Sequence, residues 1–243
     1  RTLTLDLIGK SLQKNVPSES ELAEMTGMLT TSGSLGFYDV YSMRDEEIRL
    51  PMQQAVSELN GLPDLLKINA SPYSAVIGFA APGDMAAIDS LLEVVFSKYR
   101  FPAGITRVWS GRPALVAGQN LHELYFLAGT AQVNGNHILE AAAAPSQQNP
   151  KEAVINLTFN EIGTKIFGDM TTAAAENGNR QIAIVFNGYV LSAPNVINPI
   201  TAGKSQLAGS FTPSQAISLA HIIQAGQYPC PLKVLSAHII HEQ

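Results

Sequence analysis

VINLTFNEIGTKIFGDMT (Val154–Thr171), followed by RQIAIVFNGYVLSAPNV (Arg180–Val196), carries the reading of the fold. Ile155, Leu157 and Phe159 alternate with Asn156 and Thr158, the period of a half-buried strand. Ile162, Ile166, Phe167 and Met170 then recur at helical spacing from about Asn160 to Glu176, and Gly178 follows the helix end. Gln181 to Phe186 is the next strand. Asn187-Gly188 behind it is a hairpin signal, because a type I′ turn needs positive φ at both central residues, and Tyr189 to Ala193 pairs back. A Pro/Gly-rich loop runs from Pro194 to about Ser205, and a short strand ends at Phe211. Thr212-Pro213-Ser214-Gln215 is a capping box with proline at the first helical position. Ala216, Leu219, Ala220 and Ile223 face inward along that helix, Gly226 ends it, and Pro231 to Ala237 is the last strand. The order β-α-β-β-(β)-α-β predicts a ferredoxin-like, split βαβ unit within an α+β protein, its sheet antiparallel or mixed and both helices on one face.

Toward the N-terminus the elements are less regular. Thr2 to Ile8 reads as a strand. Ser18-Glu19-Ser20-Glu21 has capping-box spacing, and Leu22, Met25, Met28 and Leu29 share one helical face behind it. Ser34 to Tyr41 (SLGFYDVY) is an aromatic-rich strand, and Asp45 to Leu59 a helix closed by Asn60-Gly61-Leu62-Pro63. A strand–helix–strand run follows. Ser74 to Ala80 is short and apolar, Met85, Ile88, Leu92, Val95 and Tyr99 repeat behind an Asp84 cap, and Ile105 to Trp109 returns. GRPALVAGQN (Gly111–Asn120), punctuated by Gly and Pro, reads as a linker at a subdomain boundary.

Composition narrows the function. The 243 residues are 46% hydrophobic and 14% charged, with 15 Lys and Arg against 20 Asp and Glu, a formal charge of -5. A chain of this size buries enough surface to fold without disulfide or metal. The acidic balance argues against a duplex nucleic-acid binder, which needs a dense cationic face to release counterions, and against a polybasic membrane-surface module. Cys230 is the one cysteine, so no internal disulfide or cysteine-rich zinc site can form. No apolar run reaches the roughly 18 residues of a membrane span, and RTLTLDLIGK lacks the basic start and apolar core of a signal peptide. The start at Arg1 reads as a mature or excised region of something longer.

The second half resembles a known family. VINLTFNEIGTKIFGDMT, RQIAIVFNGYVLSAPNV, GKSQLAGSFTPSQAISLAHIIQAG (Gly203–Gly226) and YPCPLKVL (Tyr228–Leu235) are similar, in one order over roughly residues 130–237, to the large periplasmic region of SecD and of the fused SecD–SecF proteins. These are accessory subunits of the bacterial Sec translocon. LGFYDVY (Leu35–Tyr41) and GTAQVNGNHILEAAA (Gly129–Ala143) are similar to further family segments, and Ser74 to Pro113 resembles an extra strand–helix–strand of Bacteroidetes versions. The resemblance implies a base over the membrane and an inserted head: residues 1–118 base-like, with the extra unit at about 74–110, residues 119–228 head-like, and residues 229–243 a final strand returning to the base. It also implies the periplasmic side of the inner membrane, with an unfolded preprotein chain, the translocon channel and a SecF-like part as partners. The family's membrane helices do not occur in this chain.

Motifs for chemistry are weak by comparison. Ala202-Gly203-Lys204-Ser205 resembles the end of a phosphate-binding loop, but Asn198 stands where the pattern needs glycine and a strand follows. His238, His241 and Glu242 lack a third rigid metal ligand. His122, His137 and His221 are isolated, and Cys230 between Pro229 and Pro231 has no adjacent base. Glu46-Glu47 and Glu161/Asp169 read as solvated helix faces, and the formal glycosylation patterns at Asn69 and Asn156 carry no weight. Asn187-Gly188, Pro194 and Gly209 are fold determinants by turn chemistry. Phe37, Tyr38, Tyr41 and Trp109 are core packing or the wall of a groove for unfolded chain. The expectation is therefore a non-enzymatic module with no cofactor, metal, nucleic acid or small-molecule substrate, its client-contacting residues unassigned. A stand-alone envelope lipoprotein domain serving as scaffold or partner-binding unit is the alternative.

Overall fold

The structure is a computed structural model that describes residues 2–7, 10–15, 34–69, 71–147, 149–225 and 238–240. Along the chain come β1 (Thr2–Leu7), β2 (Lys10–Asn15), β3 (Leu35–Val40), α1 (Glu46–Glu58), α2 (Leu62–Leu65), β4 (Lys67–Ile68), β5 (Val76–Ala80) and α3 (Met85–Lys98). They are followed by β6 (Thr106–Trp109), β7 (Ala114–Val116), β8 (Gln119–Asn134), a 3-10 turn (Gly135–His137), β9 (Ile138–Pro145) and β10 (Ala153–Phe159). The series ends with α4 (Glu161–Glu176), β11 (Ile182–Phe186), β12 (Tyr189–Ser192), β13 (Lys204–Phe211), α5 (Pro213–Ala225) and β14 (His238–Ile240). The helix expected after Ser18 and the strand expected at Pro231–Ala237 lie outside the described residues.

Local chemistry accounts for the clearest elements. The Asn160 side chain accepts from the Gly163 amide at 2.8 Å and caps α4. At α5 both halves of the expected capping box are made: Gln215 N donates to Thr212 Oγ1 at 3.3 Å, and Thr212 N donates to Gln215 Oε1 at 3.1 Å. Asn187 and Gly188 have φ of 50° and 83°, as the β11–β12 hairpin requires.

Three sheets result. The first joins β14, β1 and β2, and the second has the order β13-β10-β9, antiparallel throughout. The third has eight strands built around β8, whose sixteen residues meet β3 and β5 on one side and β6 and β7 on the other. β3 sits between β8 and β11, and β12 follows β11. A parallel bridge between Ser110 and Val190, with Gly111 N donating to Val190 O at 2.9 Å, brings the end of β6 against β12. The strands β6-β8-β3-β11-β12 therefore curl into a small closed barrel, which leaves these strands few exposed edges.

Side-chain alternation sorts the cores. Val40, Val108, Tyr125, Leu127, Ala183, Val185 and Val190 fill the barrel interior. On its outer surface, Ile77, Leu124, Phe126 and Trp109 pack under α1, α2 and α3. Elsewhere on that surface Leu35, Phe37, Ile182, Ile184 and Phe186 meet α4, α5 and the Ala153-Ile155-Leu157-Phe159 face of β10.

Two expectations change. Residues 111–120 are not a linker but the β7–β8 hairpin, turning at Ala117 and Gly118 with φ of 49° and 80°. The α+β class with antiparallel sheets and helices is present, but β10 and β11 do not share a split βαβ sheet. β10 is flanked by β9 and β13, whereas β11 and β12 join the barrel. The physical reason is β9, whose residues 138–145 take the β10 edge that the simpler unit leaves for another strand.

Candidate functional site

Strand β11, the loop after β12 and the start of β13 enclose an apolar cleft of about 410 Å³ between the barrel and the second sheet. Phe37, Phe167, Ile182 and Ile184 form its floor, residues 194–198 and Ile200 one wall, and Ser205 and Gln206 the other. The floor is rigid because its side chains belong to the core. Phe37, 1% exposed, stands edge-on to Phe159 and Phe167 with ring centroids 5.6 and 5.4 Å away.

The loop wall is pinned. Ile182 N donates to Pro194 O at 3.2 Å and Val196 N to Arg180 O at 3.0 Å. Ile200 N donates to Thr171 Oγ1 at 2.9 Å, and that buried hydroxyl donates in turn to Phe167 O at 2.7 Å. Between these anchors Ile197 stands 69% exposed at the rim. The cleft can thus hold apolar groups against a fixed floor, with Asn195, Asn198, Ser205 and Gln206 as its polar lining residues.

The charged groups near the sheet end serve structure. Burial raises the Asp39 carboxyl above its usual range, although Arg180 and a bond from Gln132 oppose it. Burial acts in the same sense on Asp45, but bonds from Arg180 and Ser42 outweigh it and hold Asp45 below its usual range. Burial, reinforced by Glu123, pushes the Tyr125 phenol far up.

The residues singled out in the sequence scatter rather than converge. Strand β13 begins at Lys204, so no helix N-terminus follows Gly203 to cradle phosphate. His122 Nδ1 lies 2.9 Å from Ser110 O, His137 Nδ1 accepts from Asn134 N at 3.1 Å, and His221 is exposed on α5. His238 is opposite Thr4 in the first sheet, while Cys230, His241 and Glu242 lie outside the described residues. Among the described residues no group of three His, Cys, Asp or Glu could hold a metal ion. Glu46 pairs with Arg49, and Asp169 pairs with Lys165, at exposed sites. Asn69 accepts from Ser71 N in a turn, and Asn156 bonds Gln206 across the sheet. Phe37 and Trp109 are buried, the latter donating from Nε1 to Asp89 at 3.0 Å, and Tyr38 and Tyr41 are half-buried. Of the named candidates, Phe37, Pro194 and Ser205 reach the cleft. Ile182 and Ile184 were recognisable as strand residues, but nothing local marked Val196, Ile197 or Ile200 as a wall.

Every lining residue except Phe37 falls within residues 113–230, the stretch matched by the family model of the SecDF P1 head subdomain. This stretch is similar to the SecDF P1 head subdomain. The SecD protein translocase subunit of Calditerrivibrio nitroreducens is 37% identical over 126 residues, 51% of this chain and 24% of that protein. The subunit of Rickettsia bellii is 35% identical over 116 residues, 48% of this chain and 22% of that protein. The subunit of Acetobacter pasteurianus is 34% identical over 185 residues, 76% and 32%. The chain therefore spans about a quarter to a third of the length of these SecD relatives. A solved SecDF, described as a membrane component that enhances protein export, aligns over 98% of this chain and 84% of its own at 18% identity, with a TM-score of 0.46. SecDF in a super-membrane-facing form aligns over 97% and 25% at 18% identity, with a TM-score of 0.47. Among the described residues no helix is long and apolar enough to cross a membrane.

Proposed function

We propose that this chain is the periplasmic region of a Sec translocon accessory subunit at the inner membrane, and that its head cleft binds emerging, unfolded preprotein to assist export. In this proposal residues 1–118 are base-like, 119–228 head-like and 229–243 return to the base, and the translocon channel and a SecF-like part are reached through membrane regions outside this sequence. The role is binding, without a covalent step.

The supporting observation is the apolar cleft inside the stretch that matches the SecDF P1 head subdomain. An unfolded client offers what this cleft accepts, scattered apolar side chains on an extended main chain. Ordering such a client offsets much of the gain from burial, so affinity is weak and sequence-tolerant. Weak, renewable contact suits a site that must release each segment as the next arrives.

The test is titration of the 243-residue protein with a permanently unfolded polypeptide, such as reduced, carboxymethylated α-lactalbumin. Binding in the micromolar to millimolar range is expected, and it should tolerate salt because apolar contact is not screened. Placing a charge at the rim with Ile197→Asp should weaken it without affecting folding. A flat titration across that range removes the proposal.

A further inference from the structure

The two edges of the β13-β10-β9 sheet are treated differently. At β9, α5 lies alongside and the Gln224 side chain acts as a stand-in strand. Its Oε1 accepts from Ala141 N at 2.6 Å and its Nε2 donates to Leu139 O at 3.0 Å. One side-chain amide thereby satisfies an outward donor and an outward acceptor two residues apart, as a neighbouring strand would. Pro145, at the far end of β9, offers no N–H.

At β13 the register decides which groups face outward. Phe159 N donates to Gly203 O at 2.9 Å, so this is a hydrogen-bonded antiparallel pair. By alternation the pairs Leu157–Ser205 and Ile155–Leu207 also bond toward β10, which leaves the N–H and C=O of Lys204 and Gln206 pointing away from it. Among the described residues no strand pairs with this edge of β13. Farther along, the edge is attended, since Arg112 Nη1 donates to Gly209 O at 3.3 Å. Among the described residues the unattended part is thus the part beside the cleft, where Ser205 and Gln206 form the wall.

We propose that an extended polypeptide adds to the sheet at β13, its main chain bonding Lys204 and Gln206 and alternate side chains entering the cleft over Ile182 and Ile184. The inference rests on the reading of the cleft as a site for unfolded chain, and it specifies how that chain is held. The occupant follows from the chemistry offered. Main-chain donors and acceptors in strand alternation recognise extended main chain of any sequence, and an adjacent apolar floor takes every second side chain. Gln224 confines this addition to one edge.

The test follows amide hydrogen exchange in the 243-residue protein, with and without saturating reduced, carboxymethylated α-lactalbumin. The amides of Lys204 and Gln206 should slow on binding while that of Ala141 stays unchanged. Gln206→Pro, which removes one outward N–H at an edge where proline is tolerated, should weaken binding about tenfold, the equivalent of one lost hydrogen bond. Gln206→Ala, which trims the cleft wall but keeps the outward N–H, should weaken binding less than Gln206→Pro. If Gln206→Pro does not fold, the exchange pattern of the parent decides alone. Binding with unchanged Lys204 and Gln206 amides overturns strand addition and leaves client capture standing. Protection of those amides by self-association without polypeptide also overturns it, since the edge then serves a second copy. A flat titration removes both readings together.

Discussion

Arg180, just beyond α4, closes on the carboxylate of Asp45 at the start of α1, with Nη1 2.9 Å from Oδ1 across 135 residues of sequence. The same guanidinium donates to Val40 O at 3.1 Å, at the end of β3. Beside it Arg44 donates to Asn177 O at 2.6 Å and Gly178 O at 3.4 Å, the carbonyls at the C-terminal end of α4, where a cation meets the negative end of the helix dipole. Two arginines reaching in opposite directions thus strap α1 to α4, joining the stretches expected as base-like and head-like.

Removing Arg180 leaves a largely buried Asp45 without its charged partner. Arg180→Met should lower unfolding free energy by about 1–3 kcal/mol, the cost of stranding a buried charged acceptor. Arg44→Ala, which loses only exposed carbonyl contacts, should cost a few tenths of a kcal/mol. Urea midpoints at constant m-value check both, and equal effects would contradict the difference in burial.

The two nearby carboxylates respond to pH with opposite sign. Asp45 has its folded pKa below the unfolded value, so its contribution is present above about pH 4, the unfolded aspartate pKa, and fades as pH falls through the depressed folded value. Asp39 has its folded pKa raised by burial, so its ionisation costs stability as pH rises through that value. Asp45→Asn should flatten the acid limb of a stability-versus-pH curve. Asp39→Asn, which keeps an acceptor for Gln132, should leave stability at neutral pH unchanged or higher.

Phe37, part of the cleft floor, is held in place by its contacts with Phe159 and Phe167. Phe37→Ala should cost about 3–5 kcal/mol, the range for a large-to-small change in a packed core. Chemical denaturation measures it. Phe37→Leu, which keeps most of the volume, should recover the larger part.

Gly203 enters β13 with φ of 70°, and a Cβ there would lie 2.4 Å from Thr164 Oγ1. Gly203→Ala should therefore destabilise by more than about 1 kcal/mol, through both backbone conformation and contact. Adding Thr164→Ala should restore the contact part but not the backbone part, a coupling that a double-mutant cycle isolates.

Elements whose signals lie within a few residues were legible in advance. These include the α4 and α5 starts, the Asn187-Gly188 turn and the Ile155-Leu157-Phe159 alternation. β9 was not, because its middle, Ala141 to Ala144, has little strand preference of its own and is extended by pairing along β10. The β7–β8 hairpin escaped for a related reason, since Ala117 holds a positive φ that its residue type does not advertise. The cleft was the least legible feature. Its wall at Val196, Ile197 and Ile200 is set by bonds to Arg180 and Thr171, outside the loop itself, while its floor is shared by β3, α4 and β11, with β3 more than 120 residues before the other two.

Strand β3 carries a practical message about where this protein can be cut. Residues 35–40 supply the rung between β8 and β11, so a fragment trimmed to the family match at 113–230 would keep both neighbours and lose what holds them apart. Two naked sheet margins and an opened barrel would then face water, an invitation to aggregate. Expressed alone, such a fragment should collect in inclusion bodies, whereas a piece beginning at Ser34 should not.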